Sequence, residues 1–180
     1  MSIESRNLPL SREQWTLARY LTERSPAPMP PVVRAGDDAL HVAKLAVGAP
    51  LPRAVYVVDE SDRYLGTILD GSLARQIFEH LNPSLYLDKH PHAMTGLFQF
   101  TNDASKLTAE SLMSAARRTM LDQETVAGAM HALHQSGSDE LPVVNAEGQL
   151  VGVIRALDIL REWVEDTLLV QLGDDTESFY

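Results

Sequence analysis

The chain has 180 residues, of which 44% are hydrophobic, and its formal net charge at pH 7 is −10. This length fits one compact domain or two small ones, and the acidic balance disfavours a nucleic-acid backbone as a partner. The chain has no cysteine, which excludes a disulfide framework and thiolate metal sites. No apolar run approaches the roughly 20 residues of a membrane-spanning helix, and the N-terminus lacks the apolar segment of a signal peptide. We therefore expect a cytoplasmic protein without membrane insertion.

The N-terminal region is predicted to contain one helix. The first ten residues show no period and are expected to be loose, but Ser11–Gln14 fits a capping box, which predicts a helix that begins there. Trp15, Ala18 and Leu21 then form an apolar stripe, and Tyr20 lies beside it. Such a stripe must pack on something, and we expect it to pack on the core of the protein or on a dimer partner.

A proline-rich linker, Ser25–Pro31, follows and cannot be helical. Beyond it, the hydrophobic periodicity predicts alternating short strands and helices. They are a strand Val32–Arg34, a helix Asp38–Val47, strands Ala54–Val58 and Tyr64–Ile68, and a helix Asp70–Leu81. The apolar positions that share a face on these two helices are Leu40, Ala43 and Val47, and Leu73, Ile77 and Leu81.

A long connection of residues 82–110 follows, and the Asn82-Pro83 pair at its start ends the preceding helix. A connection of this length without regular structure is usually functional or mobile. Within it, Leu97–Phe100 fits either a short strand or a cover over a cleft. The later predicted elements are a short helix Lys106–Met113, a strand Thr119–Leu121, a helix with Val126, Ala129, Met130 and Leu133 on one face, strands Leu141–Val144 and Leu150–Ile154, and a last helix that extends to Val170.

The most informative stretch is Leu141–Trp163, which reads as strand, turn, strand and helix. A glycine inside its second strand, Gly152, indicates a place where another backbone or a ligand comes close. Asp158 follows that strand in the first turn of the predicted helix. Its carboxylate could accept hydrogen bonds from free backbone N–H groups as a cap or from a ligand hydroxyl, and the residue types alone leave both possibilities open.

The same pattern occurs earlier in the chain, at an offset of 86 residues from Gly66 to Gly152. Without a gap, the match extends over Val32–Glu79 and Arg118–Glu165. The aligned pairs include Val57 with Val143, Val58 with Val144, Ile68 with Ile154, Leu40 with Val126, Ala43 with Ala129, and Ala46 with Ala132. A long internal match of this kind predicts two copies of one structural unit. We expect the aligned valine and isoleucine residues to be buried.

Each repeat resembles a CBS domain, the module named after cystathionine β-synthase, and the second copy carries the fuller pattern. The resemblance rests on Met113-Ser114, on the Leu-Pro-Val-Val strand Leu141–Val144, and on Gly152–Asp158 as the motif Gly-φ-φ-Thr/Ser-x-x-Asp, in which φ is apolar. It implies an α+β fold of two βαββα repeats packed as a pseudo-twofold tandem, with an N-terminal helix. The segments would be an N-terminal arm and helix (1–25), a first repeat (26–81), a connecting insertion (82–110), a second repeat (111–168) and an acidic tail (169–180).

The resemblance also implies a regulatory ligand that contains adenosine: AMP, ADP, ATP or S-adenosylmethionine. The family assigns the carboxylate at the position of Asp158 to the ribose hydroxyls. The adenine would lie near Leu112 and Met113, with the backbone of Leu141 and Pro142 at its edge. The further predicted contacts of this site are Ser114, Ile154 and Arg155.

Arg155 stands where the family motif has Thr or Ser. Its guanidinium could bind a phosphate at the helix N-terminus, or it could pair with Asp139 or Glu140. In the first repeat, Leu69 and Ser72 occupy the two corresponding positions. We therefore expect a weaker first cleft, either empty or bound to something else. Its predicted residues are Val33, Tyr56, Leu69 and Ser72.

No resident metal or catalytic site is predicted. His131 and His134 lie three residues apart on a helix, but they lack a further ligand in a matching place. The acidic turn at residues 59–62 lacks the alternating oxygen ligands and terminal glutamate of a calcium loop. No phosphate-binding glycine loop, nucleophile elbow or zinc-protease motif is present. We expect a protein that is not an enzyme.

The leading hypothesis is a regulatory module that senses an adenosine compound and alters a partner or its own assembly. The partner could be an enzyme, a channel or a transporter. Because the family pairs two tandems into a disc, we expect a homodimer, formed through the apolar stripes of Asp38–Val47 and Thr125–Leu133. The alternative is an interaction or oligomerisation domain without a small ligand, for example the cytosolic regulatory part of a channel or transporter.

Overall fold

The structure is a computed structural model that describes residues 12–23, 30–48, 54–79, 106–116 and 118–174. Several predicted features lie outside these residues. They are the capping residue Ser11, most of the linker Ser25–Pro31, the helix end Leu81, the segment Leu97–Phe100 and the end of the acidic tail.

The regular elements alternate between short strands and helices, as the sequence predicts. In chain order they are a 3-10 helix (Arg12–Gln14), α1 (Leu17–Glu23), β1 (Val32–Arg34), α2 (Ala39–Gly48), β2 (Ala54–Val58), β3 (Tyr64–Leu69), α3 (Asp70–Glu79), α4 (Ala109–Leu112), β4 (Ser114–Ala115), β5 (Met120–Leu121), α5 (Val126–Ser136), β6 (Glu140–Val144), β7 (Leu150–Arg155) and α6 (Ala156–Asp174). For the majority of the strands and helix starts, the observed bounds differ from the predicted ones by one to three residues.

The chain divides into two compact units. The first-repeat unit comprises residues 28–117 and 147–150, and the second-repeat unit comprises residues 1–27, 118–146 and 151–180. The segment that precedes each repeat in the chain therefore belongs to the unit of the other repeat. The first-repeat unit holds a sheet of order β1-β2-β3-β4, and the second-repeat unit holds a sheet of order β5-β6-β7.

The register of the two sheets corrects the predicted repeat alignment. At the offset of 86 residues, β2 coincides with β6 and β3 with β7. Upstream the offset is 87, because Val33 pairs with Val57 in one sheet whereas Met120 pairs with Val143 in the other. The first repeat thus has one more residue between its first helix and second strand, and an ungapped match is wrong. The pairings affected are Leu40 with Val126, Ala43 with Ala129, and Ala46 with Ala132.

Each unit has its own apolar core, and the predicted strand residues lie in it. The six residues expected to be buried are Val57, Val58, Ile68, Val143, Val144 and Ile154, and each is at most 6% exposed. This prediction is confirmed. Burial follows from the β-branched residues of β2, β3, β6 and β7, which pack well on a pleated surface.

The inner faces of the first helix in each repeat follow the corrected register. The buried positions are Ala39, Val42 and Ala46 on α2, and Val126, Ala129, Ala132 and Leu133 on α5. The face predicted for α2 instead points to solvent, since Leu40 and Val47 are 50% and 87% exposed. On α5, Met130 is 48% exposed, whereas the rest of its predicted face is buried.

The N-terminal helix packs on the second-repeat core through most of the predicted stripe, with Leu17 in place of Ala18. Leu17 and Tyr20 are buried, and Trp15 and Leu21 pack against the core at its edge. The change arises because residues 12–14 form a separate 3-10 helix, so that the α-helix begins at Leu17 and takes a different phase. Of the two predicted packing partners, the core of the protein is the one the structure shows.

The segment before each repeat makes the same backbone hydrogen bonds in the unit that it joins. In the second-repeat unit, Leu17 N–H donates to Glu124 O (2.8 Å), Ala18 N–H to Asp122 O (2.8 Å), and Val126 N–H to Trp15 O (3.0 Å). In the first-repeat unit, Ala109 N–H donates to Asp37 O (2.8 Å), Glu110 N–H to Ala35 O (3.0 Å), and Ala39 N–H to Leu107 O (3.0 Å). The internal repeat therefore extends to these two segments, although their sequences do not reveal it.

The repeated strand glycines lie where these segments come closest. A Cβ atom at Gly66 would overlap the carbonyl oxygen of Ser114 and lie 2.9 Å from Met113 Sδ. A Cβ atom at Gly152 would lie 2.6 Å from a terminal methyl carbon of Leu21. Both glycines thus have a close neighbour, but the one at Gly152 is neither the backbone nor the ligand that the sequence predicts. The close approach is made by backbone at the first glycine and by a side chain at the second.

Candidate functional site

Asp158 is a buried carboxylate at the start of α6. It is the third residue of that helix, directly after β7, and only 6% of it is exposed. Burial of a carboxylate is unfavourable unless charges or hydrogen-bond donors accompany it. The residues around Asp158 therefore determine what this position can do.

Two arginines lie beside this carboxylate. Arg155 Nη1 is 3.8 Å from Asp158 Oδ2, and Arg161 Nη1 is 3.6 Å from Asp158 Oδ1. The Arg155 side chain is 31% exposed and the Arg161 side chain is 66% exposed. Arg155 is therefore the more enclosed of the two cations.

Arg155 also pairs with a second carboxylate. Its Nε donates to Glu140 Oε2 at 3.3 Å, and the Glu140 side chain is 15% exposed. Of the two protein partners predicted for Arg155, the structure shows Glu140. Asp139 contributes its backbone carbonyl instead, which accepts from Ala156 N–H at 2.9 Å.

Three more predicted site residues share the second-repeat unit. Ile154 precedes Arg155 on β7, and Leu141 and Pro142 lie on the neighbouring strand β6. All three are buried. The structure therefore brings the carboxylate, the guanidinium and an apolar strand surface into one compact unit.

The other three predicted residues, Leu112, Met113 and Ser114, lie in the first-repeat unit. Leu112 is buried, and Ser114 pairs with Thr67 of β3. The carbonyl of Leu112 accepts a hydrogen bond from Gln76 Nε2 at 3.1 Å. The structure thus joins them to the first repeat's sheet and helix.

The first-repeat cleft, predicted to be the weaker one, has no carboxylate at the position equivalent to Asp158. Ser72 occupies it, and its hydroxyl accepts from Gln76 Nε2 at 3.1 Å. Leu69, which is equivalent to Arg155, is 53% exposed, whereas Val33 and Tyr56 are buried in the sheet. The sequence analysis missed Gln76. Its spacing of four residues from Ser72 on a helix was the available signal.

The features considered for metal binding have other roles or no further ligands. His131 and His134 are both exposed on α5, and among the described residues no group of three or more His, Asp or Glu could hold a metal ion. In the acidic turn, Asp59 Oδ1 accepts from the backbone N–H of Arg63 (2.9 Å) and of Ser61 (2.8 Å). The Arg63 N–H, with smaller contributions from its neighbours, lowers the pKa of Asp59 below its usual value.

A comparison with protein families identifies the segment that carries Asp158. The family model for the CBS domain matches residues 109–165. The Gly152–Asp158 motif and both carboxylate neighbours of Arg155 lie within this matched segment. A search of curated protein sequences finds no significant match.

Solved structures extend the similarity to most of the chain. The CBS domain of a CBS domain containing membrane protein from Sphaerobacter thermophilus is 23% identical, with a TM-score of 0.60, over 83% of this chain and 88% of that one. CBSX2 in complex with AMP is 18% identical, with a TM-score of 0.58, over 85% and 98%. The CBS domain pair of protein MJ0100 in complex with 5′-methylthioadenosine and S-adenosyl-L-methionine is 16% identical, with a TM-score of 0.57, over 85% and 98%. The chain therefore has the fold of a CBS domain pair, with two small sheets and tandem repeats.

An apolar groove of about 740 Å³ lies between α5 and α6 of the second-repeat unit. Met130, Leu160 and Trp163 line it and are 48%, 51% and 63% exposed. Neither Asp158 nor Arg155 lines it. The sequence predicts the helix that carries Leu160 and Trp163 but not the groove. Among the helices of the described residues, none has the length and apolar character needed to cross a bilayer.

Proposed function

We propose that the protein is a regulatory module that binds an adenosine compound through its second repeat. The ligand class comprises AMP, ADP, ATP and S-adenosylmethionine, and the ligand acts as a signal rather than as a catalytic cofactor. The identity of the ligands in the similar structures, AMP in one and S-adenosylmethionine with methylthioadenosine in another, supports this class.

The observation that carries the proposal is the buried carboxylate of Asp158. It stands at the last position of the CBS motif, in the family-matched segment, and 6% of it is exposed. A carboxylate accepts hydrogen bonds from both vicinal hydroxyls of a ribose, and a low-dielectric surrounding strengthens such bonds. The equivalent Ser72 has one hydroxyl that already accepts from Gln76.

The other proposed ligand contacts fall into two groups, according to whether they lie in the same compact unit as Asp158. Arg155, Ile154, Leu141 and Pro142 share the unit of Asp158. The assignment of Leu112, Met113 and Ser114 to the same ligand stays a prediction, as does the weaker cleft around Ser72.

We also propose that the protein forms a homodimer in the cytoplasm. The dimer would regulate an enzyme, a channel or a transporter. In place of the stripes of Asp38–Val47 and Thr125–Leu133 predicted from the sequence, we propose the apolar residues exposed on α6 as the surface for a second copy of the chain. They are Leu157, Leu160, Trp163 and Val164, with exposures of 55%, 51%, 63% and 41%. Burying such residues stabilises an association by about 25 cal/mol per Å² of apolar area, which gives this helix the chemistry of an interface.

A second candidate function is assembly without a small ligand, as in the cytosolic regulatory part of a channel or transporter. The observation that favours it is the same groove between α5 and α6, because it is apolar and does not include Asp158. One of the similar structures is the CBS domain of a membrane protein. In this function the protein would pair with a partner whether or not a nucleotide is present.

A thermal-shift screen separates the two functions. AMP, ADP, ATP and S-adenosylmethionine are tested at millimolar concentration, with GMP as the base control and inorganic phosphate as the charge control. At about ten times Kd, a bound ligand adds about 1.4 kcal/mol of stability, which corresponds to roughly 3–6 °C in Tm for a chain of this size. A shift with an adenosine compound alone supports sensing. No shift with any of them favours assembly without a ligand.

A further inference from the structure

Arg155 forms ion pairs with two carboxylates, Glu140 and Asp158. Its Nε is 3.3 Å from Glu140 Oε2 and its Nη1 is 3.8 Å from Asp158 Oδ2. The side chains of Glu140 and Asp158 are 15% and 8% exposed, so both pairs are largely shielded from water. A guanidinium presents its donors in a fixed planar fork, which lets it serve two acceptors at once.

A ribose that binds Asp158 must share that carboxylate with Arg155. Any reorientation of the carboxylate toward the sugar weakens its pairing with the guanidinium. A ligand with a phosphoryl group beyond the ribose supplies a replacement acceptor, because Arg–phosphate pairs form charge-assisted and often bidentate hydrogen bonds. A ligand without an anionic group offers no replacement, and the partly buried cation loses a partner.

The local charge balance makes the same distinction. Two carboxylates, Glu140 and Asp158, face two guanidinium groups, Arg155 and Arg161, so the cluster is formally neutral. The Arg161 side chain is 66% exposed, and its Nη1 lies 3.6 Å from Asp158 Oδ1. Without Arg155 the cluster would carry a net negative charge, in a chain whose net charge is already −10. A phosphoryl group would then meet repulsion rather than attraction.

We propose that Arg155 is a specificity-determining residue that makes the second-repeat site select adenine nucleotides over adenosine and S-adenosylmethionine. This inference rests on the proposed function and narrows its ligand class to anionic ligands. S-adenosylmethionine carries a carboxylate, but its sulfonium and ammonium make it a net cation, and the sulfonium places a positive charge next to the ribose, which disfavours it beside the guanidinium. The residue acts on the ligand's charge and not on its base.

The test is titration calorimetry with AMP, adenosine and S-adenosylmethionine on the full chain and three variants. The variants are Arg155→Gln, Arg161→Gln and the double variant Glu140→Gln/Arg155→Gln. Arg161→Gln is the matched control, because it removes the same charge from a neighbour of the same carboxylate. Arg155→Gln leaves the largely buried Glu140 carboxylate without its cation, which could destabilise the fold. The double variant also neutralises Glu140, so it separates an effect on binding from an effect on folding.

We expect the wild type to bind AMP about tenfold or more tightly than adenosine. Arg155→Gln and the double variant should reduce that ratio to within about threefold, mainly by weakening AMP. Arg161→Gln should leave most of the ratio in place, because an exposed ion pair contributes little.

Three results would overturn the inference. If the wild type binds AMP and adenosine with equal affinity, the site is not selective and the inference is wrong, whereas the proposed function is still supported. If Arg161→Gln lowers the preference for AMP over adenosine as much as Arg155→Gln does, the preference arises from the overall positive charge near the site and not from Arg155. If no adenosine compound binds the wild type at millimolar concentration, the proposed function and this inference fall together.

Discussion

At the scale of single residues, the asymmetry between the repeats was readable from the sequence, but the partner of Arg155 was not. Asp158 and Ser72 stand at equivalent motif positions, so the difference in their chemistry follows from residue types alone. Asp139 and Glu140 are adjacent in sequence, and only the structure shows that Glu140 meets the guanidinium while Asp139 uses its backbone carbonyl. Asp139 lies just before β6 and Glu140 is its first residue, so an uncertainty of one residue decides the ion pair.

The strand glycines give a residue-scale prediction for stability. Gly66→Ala should destabilise the protein by about 1–3 kcal/mol, because the new methyl group meets the backbone carbonyl of Ser114, which cannot easily move. Gly152→Ala should cost less, since its neighbour is the flexible end of Leu21. Urea denaturation followed by circular dichroism measures both.

The control for this pair is Gly71→Ala. Gly71 lies in the first turn of α3 with nothing within 4 Å of its added Cβ. Alanine is the better helix former by about 1 kcal/mol at most, so this variant should be neutral or stabilised. A Gly66→Ala protein as stable as Gly71→Ala would contradict the close approach of β4 to β3.

At the scale of elements, the existence and order of strands and helices were predictable, and the register of the first helix was not. The β-strands have strong β-branched patterns that fix their positions. The helices α2 and α5 are rich in alanine, and Ala43 and Ala46 matched Ala129 and Ala132 by composition at the wrong offset. The one-residue difference in the loops that follow these helices leaves no signal in the periodicity, and only strand pairing reveals it.

The N-terminal cap of α5 supplies a prediction at this scale. Thr125 is extended and its side chain accepts from Gly128 N–H at 3.1 Å. Thr125→Ala should lower the free energy of unfolding by about 1 kcal/mol, because that backbone donor loses its acceptor. Thr125→Ser keeps the hydroxyl and should lie within a few tenths of a kcal/mol of the wild type. Differential scanning calorimetry compares the three proteins, and equal losses for alanine and serine would count against the cap.

At the scale of the whole molecule, the sequence predicts two repeats but not which chain segments complete them. The helix α1 precedes the first repeat and packs on the core of the second, and α4 and β4 precede the second repeat and join the first. These contacts join residues about a hundred positions apart, such as Leu17 and Glu124. Local periodicity carries no record of such long-range pairing. For this reason the sequence could not predict that Leu112, Met113 and Ser114 lie in the first-repeat unit.

Self-association is a whole-molecule prediction. We expect light scattering at micromolar concentration to give about twice the 19.9 kDa mass of one chain. Leu160→Glu should shift the mass toward that of a single chain, because it places a charge on the exposed apolar side of α6. Leu121→Glu is the matched control, since Leu121 on β5 is 49% exposed against 51% for Leu160. A wild-type mass near 19.9 kDa would remove the dimer from the proposal.

The central claim is that one buried carboxylate in the second repeat binds the ribose of an adenosine ligand. Its most direct test is titration calorimetry of AMP into the wild type, Asp158→Ala and Ser72→Ala. We predict one site per chain, an affinity about ten- to a hundredfold weaker for Asp158→Ala because acceptors for two hydroxyls are lost, and little change for Ser72→Ala. Wild-type affinity in Asp158→Ala, or a large loss in Ser72→Ala, would contradict the claim.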